Sequence, residues 1–116
     1  MPTSGFRVER VADRVRDEVS RVFSREISDP RLDGVRVLRV EVSGDLQIAW
    51  IYLGMGQADS AELRQRALSG TESAKGRIRK LISSRLGMRR VPDLRFSFDE
   101  AADEESRIMA LLSETR

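Results

Sequence analysis

Over residues 5–53 the apolar side chains change their spacing, and that change restricts the chain to folds in which a long helix lies on a sheet. Val8, Val11, Ala12, Val15, Val19, Val22, Phe23 and Ile27 recur at steps of three and four, the period of one helix face. Ser4 is placed to cap this helix, and Arg10, Asp13, Arg14 and Asp17 alternate in sign away from the stripe. Spanning residues 5–27, it would be roughly 33 Å long and would need a partner surface for its valines. Asp29-Pro30 stops it, because the residue before a proline is pushed out of the α region, and Gly34 frees the turn that follows. Beyond that turn the period becomes two. Strands are expected over residues 35–43 and 46–53, joined as a hairpin at Ser43-Gly44-Asp45. Val35 and Val37 share one parity while Leu38, Val40 and Val42 share the other, which calls for a bulge or a late strand start. In the second strand the smaller set Ala49, Ile51 and Leu53 is assigned inward, leaving Trp50 and Tyr52 on the open face.

A second helical region covers residues 60–86, with Leu63, Ala67, Leu68, Ala74, Ile78, Leu81 and Ile82 near one face. Gly70 and Gly76 interrupt it, each weakening a helix interior by roughly 0.5–1 kcal/mol relative to alanine, so a bend at Gly76 is expected to divide it in two. Val91-Pro92-Asp93 closes the region. Leu94-Arg95-Phe96-Ser97-Phe98 alternates as a third strand, which a helical crossover returns parallel to its neighbour. The expected architecture is α+β: one domain over residues 1–116, with a core at 5–99 in the order α-β-β-α-bend-α-β. Its three-stranded mixed sheet is covered by helices on one face. Residues 100–116 form an acidic tail in which Ile108, Leu111 and Leu112 could dock a short helix.

Composition narrows the chemistry. Among 116 residues there is no cysteine and no histidine, which excludes disulfides, thiolate or imidazole metal sites, and nucleophiles of the Cys/His or Ser/His/Asp kind. Gly54-Met55-Gly56 lacks the glycine and lysine spacing of a nucleotide-binding loop. Asp99, Glu100, Asp103, Glu104 and Glu105 read as solvated charge, or as a cover for basic residues, rather than as a metal site or an acid/base pair. No catalytic residue, metal, cofactor or small-molecule substrate is expected. The first fifteen residues carry frequent charge and no apolar core, and no apolar run approaches the roughly 20 residues that span a bilayer, so a cytoplasmic protein without membrane attachment is expected.

Charge is unevenly placed. Residues 1–40 carry nine basic and seven acidic side chains, the mixture of a solvated surface. Residues 73–92 carry Lys75, Arg77, Arg79, Lys80, Arg85, Arg89 and Arg90 and no acid at all. Such a run points to a polyanion. Backbone N–H groups exposed at a new helix start near Gly76 would add a local phosphate site, and Arg31 after Asp29-Pro30 is placed to reach a phosphate or a carboxylate. No aromatic residue lies in the basic run, so stacking on bases would fall to Trp50 and Tyr52.

Several segments together resemble the ribosome-binding factor A family. They are the valine-striped first helix, Asp29-Pro30-Arg31, and Val40-Glu41-Val42-Ser43-Gly44-Asp45-Leu46 leading to Ala49 and Tyr52. Ala74-Lys75-Gly76 with Ile78-Arg79 follows, then Arg89-Arg90-Val91-Pro92-Asp93-Leu94 with Phe96 and Asp99, and Arg107-Ile108 before Leu111-Leu112. The resemblance spans residues 6–112. It implies a type II KH-like fold in which an Ala-x-Gly kink at Ala74-Lys75-Gly76 replaces the usual Gly-x-x-Gly loop. It also implies a non-enzymatic factor of ribosome biogenesis that binds free small ribosomal subunits, contacts their ribosomal RNA near the decoding region, supports processing of its 5′ end, and matters most in the cold. A monomer is expected. The alternative is a protein-interaction or oligomerisation module that uses Trp50 and Tyr52 on the open sheet face.

Overall fold

In the computed structural model, which describes residues 2–56, 59–99, 108, 109, 111 and 112, the valine stripe forms helix α1, Pro2–Arg21. The helix opens at Pro2, whose fixed φ suits a first turn and which has no N–H to leave unbonded there. Ser4 therefore lies inside the helix and is not its cap. Val22–Glu26 continue α1 as a π-helical turn, closed by the Ile27 N–H donating to the Val22 carbonyl at 3.0 Å. Ala12, Val15, Val19 and Val22 are buried, with Val8, Val11, Phe23 and Ile27 packed at the margin of the same core. Asp29-Pro30 stops the chain as expected, and Gly34 takes a φ of 82°.

Strands β1 (Arg36–Val42) and β2 (Ile48–Gly54) pair antiparallel, and the ladder slips between Val37 and Arg39. The parity change in the sequence is thus a bulge at Leu38. Ala49, Ile51 and Leu53 face inward and are fully buried, and strand β3 (Asp93–Phe98) runs parallel to β2 on its other side. The order β1-β2-β3 places β2 at the centre of a mixed sheet, with α1 and a second helix, α2 (Ala61–Leu86), on its inner face. Phe23 stacks on Phe96 with ring centroids 6.1 Å apart, joining the π turn to β3.

Helix α2 corrects one expectation. Ala61–Leu86 form a single unbroken α-helix of 26 residues, capped by the Ser60 side chain, which accepts from the Leu63 N–H at 3.1 Å. It ends at Gly87 in the left-handed region. No second helix starts at Gly76, so the order is α-β-β-α-β. The physical reason is that Ala67, Thr71, Ile78 and Ile82 are buried on both sides of the glycine, and their packing outweighs its propensity penalty.

The two helix glycines have different roles. A Cβ at exposed Gly76 would meet nothing within 4 Å, whereas one at buried Gly70 would lie 3.0 Å from Leu32 Cδ2 and 3.2 Å from Arg31 Cβ. Gly70 is where the 3-10 turn Pro30–Leu32 docks on α2. Gly76→Ala should raise stability by about 0.5–1 kcal/mol, and Gly70→Val should lower it by about 1–3 kcal/mol through overpacking. Chemical denaturation monitored by circular dichroism measures both; equal shifts would refute the assignment.

Candidate nucleic-acid interface

An open groove runs between the N-terminal half of α1 and the C-terminal half of α2. One wall carries Arg7, Arg10 and Arg14 of α1, which share a side because they are spaced by three and four residues. The other carries Arg79 and Lys80 of α2 with Arg89 and Arg90 of the turn after it. Seven cationic side chains thus meet across the groove, against two carboxylates in its lining, Asp45 and Asp93.

Both carboxylates are engaged by their own segments. Asp45 accepts from the Ser43 hydroxyl at 2.7 Å and the Gln47 N–H at 3.1 Å, and these bonds, the Ser43 one foremost, hold its carboxyl below the usual range. Asp93 accepts from Arg95 Nε at 3.2 Å. The 87–92 turn is fixed to α2 by Ser83 Oγ donating to the Met88 carbonyl at 2.9 Å and by Arg79 Nη2 donating to the Val91 carbonyl at 3.3 Å.

The basic run of residues 73–92 is split by the fold. Arg79, Lys80, Arg89 and Arg90 reach the groove, whereas Lys75, Gly76 and Arg77 lie outside its lining. Lys75 pairs with Glu72 one turn back at 3.1 Å. Because α2 is continuous at Gly76, the N–H groups there lie within the helical ladder, and the anion site expected from a new helix start at the Ala74-Lys75-Gly76 motif does not form.

Arg85 pairs at the surface with α1 and its π turn instead, donating to Glu18 at 3.1 Å and pairing with Glu26 at 2.5 Å. Its guanidinium is raised above its ordinary range, first by the bond to Glu26 and then by that to Glu18. Arg31 is likewise occupied. Its Nη2 donates to Asp29 Oδ2 at 2.7 Å and its backbone N–H to Asp29 Oδ1 at 2.9 Å, which keeps the Asp29 carboxyl low. The carboxylate that Arg31 reaches is therefore its own neighbour. Arg85→Met should lower the melting temperature by unpairing two glutamates while leaving RNA affinity and its salt dependence unchanged; thermal melts beside binding titrations separate the two effects.

The outer sheet face is polar. Tyr52 lies beneath the Arg39 guanidinium, 4.0 Å from its ring centre, and Arg39 also pairs with Glu41 and with Asp99, the latter at 3.1 Å. Trp50 is half-buried between Glu41 and Arg95 in the ladder. Of the acidic cluster only Asp99 is described, and it is bound to Arg39 on this face; Glu100, Asp103, Glu104 and Glu105 lie outside the described residues. Ile108, Met109, Leu111 and Leu112 are helical and exposed. Among the described residues no carboxylate cluster is placed to hold a metal ion, and no helix is long and apolar enough to cross a membrane.

The α1 arginines are what the sequence reading missed. Counting charge over residues 1–40 hid their segregation: Arg7, Arg10 and Arg14 flank Val11 along one edge of the valine stripe, while Asp13 and Asp17 fall outside the groove lining. A helical-wheel projection restricted to basic residues would have separated them.

Residues 7–112 match the family model described as ribosome-binding factor A. The chain is 42% identical over 111 residues to ribosome-binding factor A of Sorangium cellulosum (strain So ce56), covering 95% of this chain and 89% of the relative. Its fold is similar to the crystal structure of ribosome-binding factor A from Thermus thermophilus, with a TM-score of 0.68 at 22% identity over 78% of this chain and 93% of that one. It is also similar to a homology model of the Thermus thermophilus factor fitted into an electron cryomicroscopy map of a 30S complex, with a TM-score of 0.55 at 26% identity over 75% and 93% of the two chains.

Proposed function

Since the chain belongs to the ribosome-binding factor A family, we propose that it binds the free small ribosomal subunit by laying the α1–α2 groove against phosphates of its ribosomal RNA. The observation that carries this reading is the convergence of seven cationic side chains from two helices and a turn on one groove. Arg79, Lys80, Arg89 and Arg90 form one bank and Arg7, Arg10 and Arg14 the other. Lys75, Gly76 and Arg77 lie outside the groove lining, and Arg31 and Arg85 are held by the protein's own carboxylates. The Thermus thermophilus relative placed in a 30S complex supports the choice of partner.

The role is that of a cytoplasmic, monomeric assembly factor acting late in subunit maturation and favouring 5′-end processing. Such a factor needs no catalysis, metal or cofactor. It stabilises one RNA conformation by binding it better than the alternatives, which matters most when cold slows their exchange.

Five phosphates of a single strand neutralised in the groove would give log affinity a slope of roughly −3.5 against log salt. Titration of the protein with purified small subunits at several salt concentrations reads that slope directly. A response near zero would remove the phosphate mechanism, and co-sedimentation with complete ribosomes rather than with free small subunits would remove the maturation role.

A further inference from the structure

The floor of the groove is apolar. Val11, Leu46, Met88 and Val91 line it, each partly buried and packed against the core. A site that only neutralised phosphates would not need such a floor, because phosphate contacts are made by charged tips and N–H groups. Leu46 makes the point sharper. Its φ of 62° is the sole positive value at a non-glycine position among the described residues, a conformation that disfavours a leucine and suits glycine or asparagine.

The β1–β2 loop enforces that conformation. The Leu46 N–H donates to the Ser43 carbonyl at 2.8 Å, and Ser43 Oγ accepts from the Ile48 N–H at 2.9 Å and the Gln47 N–H at 3.1 Å. A strained backbone therefore puts an apolar side chain in a cationic groove. On the α2 side, Met88 follows Gly87, which also has a φ of 62°, and its carbonyl is held by Ser83. Its thioether side chain can adapt to a flat surface.

A stacked RNA duplex offers such a floor only its backbone and a shallow minor groove. An unpaired nucleotide offers a planar base together with two flanking phosphates, and bases stack on apolar and guanidinium surfaces without regard to sequence. We propose that the groove takes an unpaired RNA segment, with a base laid on Leu46 and Met88 and the phosphates on either side held by the arginines of the two walls. This inference rests on the reading above and narrows it from ribosomal RNA to single-stranded RNA.

Fluorescence anisotropy of the unmodified protein with three probes tests it: an octameric single-stranded RNA, the duplex made from it, and an abasic octamer with the same number of phosphates. The single strand should bind about tenfold more tightly than either of the others at matched salt. Leu46→Asn, which relieves the backbone, and Met88→Ala should each weaken single-strand binding by about fivefold, leaving both the salt slope and the affinity for the abasic octamer unchanged. Equal affinity for the octamer with and without bases would overturn the inference while leaving the salt-dependent reading in place. A flat salt response would overturn both. Because the abasic comparison uses the unmodified protein, it decides the matter even if a floor variant folds poorly.

Discussion

Reversing charge on both walls at once, with Arg7→Glu, Arg14→Glu, Arg89→Glu and Arg90→Glu, should reduce affinity for the small subunit by about 10³-fold at 0.1 M salt. The estimate follows from counterion release: each phosphate contact on a single strand contributes about 0.7 log unit at 0.1 M relative to 1 M salt, so losing four removes close to three. All four side chains are exposed, so the melting temperature should barely change. Either wall alone should give an intermediate loss. Arg16→Gln is the control, because Arg16 also lies on α1 but is outside the groove lining and pairs with Asp17 at 3.5 Å. Sucrose-gradient sedimentation with purified small subunits reads the result. If the α1 pair proves silent while the Arg89 and Arg90 pair does not, the groove has one working wall and the partner lies across α2 instead.

Ile51→Ala should produce the largest loss of stability, about 3–5 kcal/mol. Ile51 is fully buried on the central strand, opposite Val40 on β1 and Phe96 on β3, so truncation leaves a cavity that elements on either side cannot both close. For a domain whose total stability is about 5–15 kcal/mol, that is a large fraction, and the melting temperature should fall by about 15 °C. Ile51→Val, one methylene smaller, should cost about 1 kcal/mol. Comparable losses from both substitutions would mean that the sheet relaxes into the space.

Most of the framework was legible because it follows from periodicity. The valine steps gave α1 its buried face, the parity change called for a bulge or a late strand start and a bulge formed at Leu38, and the alternation of Ala49, Ile51 and Leu53 gave the inner face of β2. The single helix through Gly76 was not legible, because local propensity penalises that glycine while the tertiary anchors on either side of it are invisible in a linear reading. Gly70 was misjudged for a related reason: what looks like a loosened helix is the contact that admits Leu32.

The candidate site residues divide in the same way. Of the run of seven cations, Arg79, Lys80, Arg89 and Arg90 lie along one wall of the groove, and two effects escaped the linear reading. Arg85 is taken by Glu18, 67 positions earlier, and by Glu26, pairings that no local pattern announces. The α1 arginines were masked by acids in the same segment, because net charge averages over faces that the helix separates. Sequence thus registers how much charge a segment holds, whereas its direction depends on packing.

The wide turn at Val22–Glu26 takes up one residue more than an ordinary α turn would at the end of α1. Removing one amino acid from this stretch would let ordinary α pitch resume with the chain on either side close to its present phase, because five residues of π helix turn by nearly the same angle as four of α helix. Conservative exchanges should pass there, since Ser24 and Arg25 face solvent. A single deletion should pass there too, whereas one within Pro2–Arg21 would turn the valine stripe by about 100° past the sheet, so this stretch is where the helix can lose a letter.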